Sequence, residues 1–139
     1  MSVVGSPRVL MLEDHRDVAE LYQLKLQLEG YRVAVAADGP SGLDLARRLR
    51  PDVILLDVHL PILDGLQVLA TLRESEDMRQ VPVVVFSDDD SYETMQRARR
   101  LNVAAYLVKA NLLPSTLASV VGDALRDRPA LTDRAQAVS

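Results

Sequence analysis

The sequence contains no cysteine, which excludes disulfides and thiolate metal sites and fits a reducing compartment. Long apolar runs are also missing. The longest, such as Val53-Ile54-Leu55-Leu56 and Val83-Val84-Val85-Phe86, fall far short of the roughly 20 residues a spanning helix needs. Residues Met1 to Pro7 lack the charged segment and apolar core of a secretion signal, so the cytosol is the expected location. Strong basicity is absent too: the formal net charge is -4, unlike a typical nucleic-acid binder. Internal repeats and low-complexity blocks are not seen. What remains is a 139-residue chain, 48% hydrophobic and 26% charged, long enough for one domain with a core of its own.

Two element types alternate along the chain. Short apolar, β-branched runs occur at Arg8–Leu12, Tyr31–Ala36, Asp52–Leu56, Val81–Phe86 and Ala104–Val108. Runs apolar throughout suit strands buried on both faces, as in parallel sheets. Between them lie helical stripes: Val18, Leu21, Leu24 and Leu28, closed by Gly30; Leu43, Ala46 and Leu49; Leu66, Leu69 and Leu72; Met95, Ala98 and Leu101; and Leu117, Val120 and Ala124. Pro114 suits the first turn of the last helix. Five strands each followed by a helix predict an α/β fold with helices on both faces of a doubly wound parallel sheet. The domain is expected over residues 1–126, with 127–139 as a flexible tail.

In such a fold, function gathers outside the carboxyl ends of the strands. Strand one ends in Glu13-Asp14, strand three in Asp57, strand four in Ser87 and strand five in Lys109. All four ends emerge on one edge, which predicts a shared pocket of three carboxylates, a hydroxyl and an ammonium. Clustered carboxylates repel, and a divalent cation relieves the conflict. Hard oxygen donors with few dedicated protein ligands suit Mg²⁺. A carboxylate also serves as a nucleophile that forms an aspartyl-phosphate. Lys109 and Mg²⁺ would neutralise phosphoryl charge there, and Ser87 would donate a hydrogen bond. Asp14 would also suit the N-cap of the first helix.

The ordered set of Glu13-Asp14, Leu55-Leu56-Asp57-Val58-His59-Leu60-Pro61, Asp64-Gly65, Ser87 and Tyr106-Leu107-Val108-Lys109 resembles the receiver domain of bacterial two-component response regulators, from about Arg8 to Leu125. The resemblance implies the flavodoxin-like strand order 2-1-3-4-5 with five helices. It implies a signalling module rather than an enzyme, catalysing at most its own phosphorylation and dephosphorylation. Asp57 would accept a phosphoryl group from a sensor histidine kinase or phosphotransfer protein. Asp14, Asp57 and the backbone carbonyl of His59 would hold Mg²⁺, with Glu13 acting through water. Lys109 and Ser87 would contact the phosphoryl oxygens. Ser87 and Tyr106 would form the switch, Tyr106 turning from exposed to inward, and so alter partner binding on helix four, strand five and helix five, where many receivers also pair as homodimers. No direct contact with nucleic acid or membrane is implied.

The family's usual proline after the lysine is Ala110 here, which predicts a trans bond and a differently shaped loop. Asp88 heads an acidic triplet with Asp89 and Asp90 that would either repel a phosphoryl donor or stand in solvent. Several alternatives stay open. Tyr106 would otherwise be a half-buried aromatic at the sheet edge. His15 is expected on the surface of the first helical turn, and His59 beside the pocket, tuning water access. Arg97, Arg99 and Arg100 would face solvent or dock an acidic partner. Two rival functions remain: a degenerate receiver that binds partners without phosphorylation, and a small aspartyl-phosphate phosphatase of the haloacid dehalogenase type. The phosphatase needs a second Asp where His59 stands, and acids after the nucleophile rather than before it.

Overall fold

A computed structural model describes residues 5–127. The elements run β1 (Arg8–Leu12), α1 (Arg16–Leu28), β2 (Arg32–Ala36), α2 (Gly39–Leu49), β3 (Val53–Leu56), α3 (Gly65–Glu74), β4 (Val83–Ser87), α4 (Tyr92–Arg100), β5 (Ala105–Val108), a 3-10 turn (Lys109–Asn111) and α5 (Pro114–Asp127). The expected tail lies outside the described residues apart from Asp127, the last residue of α5.

The five strands form one parallel sheet in the order β2-β1-β3-β4-β5. Period-two alternation splits each strand between two cores. Leu10, Leu12, Ile54, Leu56, Val83 and Val85 pack with residues of α2 and α3. Val9, Met11, Val53, Leu55, Val84 and Phe86 pack with α1 and α5. Both faces are covered, which is why these runs are apolar throughout. The fourth strand starts later than its apolar run, because Pro82 has no N–H for the ladder, and it gains Ser87, paired with Val108.

The first helix corrects the expectation from its leucines. Leu21, Leu24 and Leu28 are 51%, 57% and 74% exposed, and only Val18 of that stripe packs partly into the core. The buried face is Ala19, Tyr22 and Leu26. Its spacing equals that of the leucines, so periodicity could not choose between the two faces. Tyr22 decides it: its ring meets Phe86 edge-on at 5.7 Å, and its hydroxyl donates to the Leu112 carbonyl at 3.4 Å. Gly30 does end the segment, at φ 98°, a left-handed conformation that suits glycine.

Candidate functional site

The carboxyl edge of the sheet carries the site. The ladder continues just beyond the strands, with Glu13 N–H donating to the Ala36 carbonyl and Asp57 N–H to the Leu12 carbonyl. This draws both acidic side chains under the loops: Glu13 is 1% exposed and Asp57 4%. The start of α3 closes down on the same spot. Gly65 donates to the Val58 carbonyl, and a Cβ at Gly65 would overlap the Asp57 carbonyl, so only glycine fits. Asp64 caps the helix reciprocally with Gln67.

Lys109 enters from the end of β5. Its Nζ contacts Glu13 Oε1 and lies 2.9 Å from Asp57 Oδ2 and 5.0 Å from the Phe86 ring centroid. Burial pushes the ammonium pKa down, but hydrogen bonds and attraction from Asp57 and Glu13 more than reverse this and hold it above the ordinary lysine value. Asp57 Oδ1 accepts the His59 N–H at 3.3 Å. Glu13 Oε2 accepts the His15 N–H at 2.9 Å, and the His15 Nδ1 lies 3.2 Å from Glu13 and 3.3 Å from Asp14. The exposed imidazole is more basic than usual because of its bond to Glu13 and the field of Asp14. Asp14 stands at the rim and does not cap α1. The N-cap is His15, which makes no side-chain cap bond, because Glu13 takes its N–H and ring instead.

Ser87 is fully buried, and its Oγ accepts the Asp89 N–H at 3.2 Å. Tyr106 is half-buried against the core, and its hydroxyl donates to the Asp89 carbonyl at 2.5 Å. Burial, reinforced by Asp89, pushes the phenol pKa up to about 12. After Lys109 the described peptides include no cis bond, and Lys109–Asn111 forms the 3-10 turn. The acidic triplet divides by role: Asp88 and Asp90 face solvent, whereas Asp89 is bonded throughout. The reading of the sequence did not single out Asp89. Its signal was an aspartate two residues before the N-cap Ser91, the spacing of an Asx turn.

The structure therefore brings Lys109 into direct contact with both Glu13 and Asp57, with Asp14 at the mouth and Ser87 and Tyr106 bonded to each other and to Asp89. Two buried carboxylates face one ammonium, an excess of negative charge that suits a cation. Among the described residues, donor atoms of Glu13, Asp14 and His15 lie within 4.8 Å of one another. This hard-oxygen cluster, with one imidazole, fits a divalent ion. No helix of the described residues is long and apolar enough to cross a membrane.

An open five-stranded α/β sheet with buried acids and a lysine at its carboxyl edge defines a class of signalling domain, and comparison with known proteins identifies it. The chain belongs to the response regulator receiver domain family, whose model matches residues 9–120. It is 38% identical over 117 residues to the transcriptional regulatory protein PrrA of Mycobacterium tuberculosis, covering 84% of this chain and 49% of PrrA. The chain thus spans about half the length of that relative. It is 32% identical over 119 residues to the polar-differentiation response regulator DivK of Brucella anthropi, covering 97% of DivK. The Vibrio cholerae chemotaxis protein CheY4 superposes with a TM-score of 0.81 at 28% identity, covering 87% of this chain and all of CheY4. Two-component signalling, with phosphorylation and Mg²⁺, is typical of the family, whose members are signalling modules rather than classical enzymes.

Proposed function

We propose that this domain is switched by phosphorylation of Asp57. The observation that carries this reading is the buried contact of Lys109 with both Glu13 and Asp57, which holds a nucleophilic carboxylate beside a cation able to meet phosphoryl oxygens. An Asp57 carboxylate oxygen attacks phosphorus as the donor's P–N bond breaks, and the donor histidine, protonated on its other ring nitrogen, leaves as neutral imidazole. Lys109 contacts the phosphoryl oxygens, and Ser87 donates a hydrogen bond to one of them. Asp14, Asp57 and the His59 carbonyl would hold Mg²⁺, with Glu13 behind water. When bound, that ion supplies positive charge against the phosphoryl oxygens.

The phosphodonor is a sensor histidine kinase or a phosphotransfer protein. Its docking is supported by a groove of about 260 Å³ beside the site, lined by His15, Val18, Leu21, Tyr22, Asp88 and Lys109, which leads onto the exposed leucines of α1. Output passes through α4, β5 and α5, where Tyr106 lies and where Arg97, Arg99 and Arg100 are exposed. The downstream protein, or a second copy of the domain, binds there.

The test is incubation with acetyl phosphate, with and without Mg²⁺, read by intact mass. We expect one phosphoryl group to be gained with Mg²⁺ and none in Asp57→Asn. A folded wild-type protein that gains nothing would overturn the proposal and favour a phosphorylation-independent interaction module. Turnover of a phosphate ester substrate would favour a phosphatase.

A further inference from the structure

Asp89 reaches four elements with one residue. Its Oδ1 accepts the Ser91 N–H at 2.9 Å, and its Oδ2 accepts from Thr94 Oγ1 at 3.0 Å and meets His59 Nε2 at 3.1 Å. Its carbonyl accepts the Tyr106 hydroxyl, and its N–H is given to Ser87 Oγ. The loop after β3, the end of β4, the first turn of α4 and β5 thus meet on Asp89, and one of these partners, His59, also bonds Asp57. His59 gives its backbone N–H to Asp57 while its ring meets Asp89.

The hydroxyl of Ser87 is arranged in a particular way by this. A serine oxygen has one proton to donate and two lone pairs. The Asp89 N–H occupies one lone pair, and the hydroxyl also hydrogen-bonds the Tyr106 side chain. Tyr106 is fixed by the same residue through its carbonyl, so the serine, the tyrosine and the start of α4 cannot move independently while Asp89 keeps its bonds. Asp88 and Asp90, its neighbours in sequence, make none of these contacts among the described residues.

We propose that Asp89 is the positioning residue that couples the Asp57 pocket to Tyr106 and helix α4, by bridging His59 to the Ser91–Thr94 turn. This rests on the reading of Asp57 as phosphoacceptor, but its resting-state consequences do not. Without the Asp89 carboxylate, the first turn of α4 keeps only its Ser91 cap, and the link to His59 is lost.

The experiment uses the full chain with fluorotyrosine incorporated, Tyr106 assigned through Tyr106→Phe, and amide exchange over Ser91–Met95. The variants are Asp89→Ala, the near-isosteric Asp89→Asn, Asp88→Ala as the neighbouring control, and His59→Gln, whose amide restores a donor to Asp89. In the resting protein we expect exchange at the start of α4 to rise about tenfold in Asp89→Ala and less in Asp89→Asn, with the Tyr106 resonance shifted. Asp88→Ala should leave both unchanged, and His59→Gln should stay near wild type. On addition of acetyl phosphate and Mg²⁺, Asp89→Ala should still gain the phosphoryl group while its Tyr106 resonance no longer follows. Wild-type exchange and resonance in resting Asp89→Ala would overturn the proposal whether or not Asp57 accepts phosphate. A wild-type Tyr106 response in phosphorylated Asp89→Ala would also overturn it. If no variant, nor the wild type, gains a phosphoryl group, the reading of Asp57 fails, and the resting-state measurement still decides for or against Asp89.

Discussion

The two edges of the sheet each withdraw a cation from water, and they satisfy it in opposite ways. At the carboxyl edge, Lys109 meets two buried carboxylates, Glu13 and Asp57. At the amino edge, Arg73 from the last turn of α3 meets only backbone carbonyls: Leu101 through Nε at 2.7 Å, Arg79 and Val81 through Nη1 at 3.1 and 2.8 Å, and Asn102 through Nη2 at 3.0 Å. Burial, with no carboxylate to oppose it, pushes the guanidinium pKa below the ordinary arginine value. Its fork ties α3 to the segments entering β4 and β5, including Asn102 at φ 60°. Arg73 spends its donors on four backbone carbonyls, whereas the Lys109 edge keeps an excess of negative charge. An edge whose charges balance only when something binds is built for exchange, and an edge whose dipoles are already spent is built to hold.

The largest effect should follow from removing the cation at the unbalanced edge. Lys109→Met leaves Glu13 and Asp57 buried against each other with no counter-charge. Without a divalent ion the variant should lose about 3–5 kcal/mol, the usual cost of breaking a buried pair from one side. Mg²⁺ should return a large part of that loss, because a cation at the carboxylates replaces the missing charge. Urea unfolding followed by circular dichroism, with and without Mg²⁺, gives the answer. If the variant is as stable as wild type, or if Mg²⁺ shifts both proteins equally, the carboxylates are not in conflict and the contrast between the edges disappears.

At the opposite edge, Arg73→Met should cost about 2–3 kcal/mol, since carbonyls turned inward lose a charged donor. Arg73→Lys should recover only part, because a lysine ammonium cannot span the same fork. Mg²⁺ should make no difference to either loss, and acetyl phosphate should still label the folded fraction on Asp57. Mg²⁺-dependent rescue of Arg73→Met would show that the edges are coupled rather than distinct.

How far each edge could be read in the sequence follows from the kind of partner it uses. Parallel strands deliver every carboxyl end to one side, so runs ending in Glu13, Asp57, Ser87 and Lys109 announced a common pocket before any coordinates. The helices on both faces followed from the same alternation, and the strand order from the resemblance to receiver domains. Arg73 was invisible for the opposite reason: its partners are carbonyls, which every residue owns. Asp89 hid inside a run of three aspartates, where composition suggests one block of charge and only an Asx turn sets one member apart. On α1, two faces share one periodicity, and the choice between the leucines and Ala19, Tyr22 and Leu26 was made by the ring of Phe86 across the core. Asp14 looked like a cap because aspartate favours that place, but Glu13 had already engaged His15.

The smallest effect tests the polar link between the reactive edge and its surface. Tyr106→Phe removes one hydroxyl and should cost about 1 kcal/mol at neutral pH. Its pH dependence is more informative. Tyr106 is held at about 12 in the fold, against an ordinary value of 10.0, so the native protein keeps this proton while the unfolded chain releases it. The resulting stability is fully present below about pH 10 and is lost as the pH rises through about 12. Tyrosinate absorbance of the wild type should therefore show a step near pH 12, and Tyr106→Phe should lack it. Tyr22 is also raised by burial, and its step should survive in the variant. A variant that keeps the step near pH 12 would place that ionisation elsewhere and leave the Tyr106 hydroxyl exposed to solvent rather than bonded to Asp89.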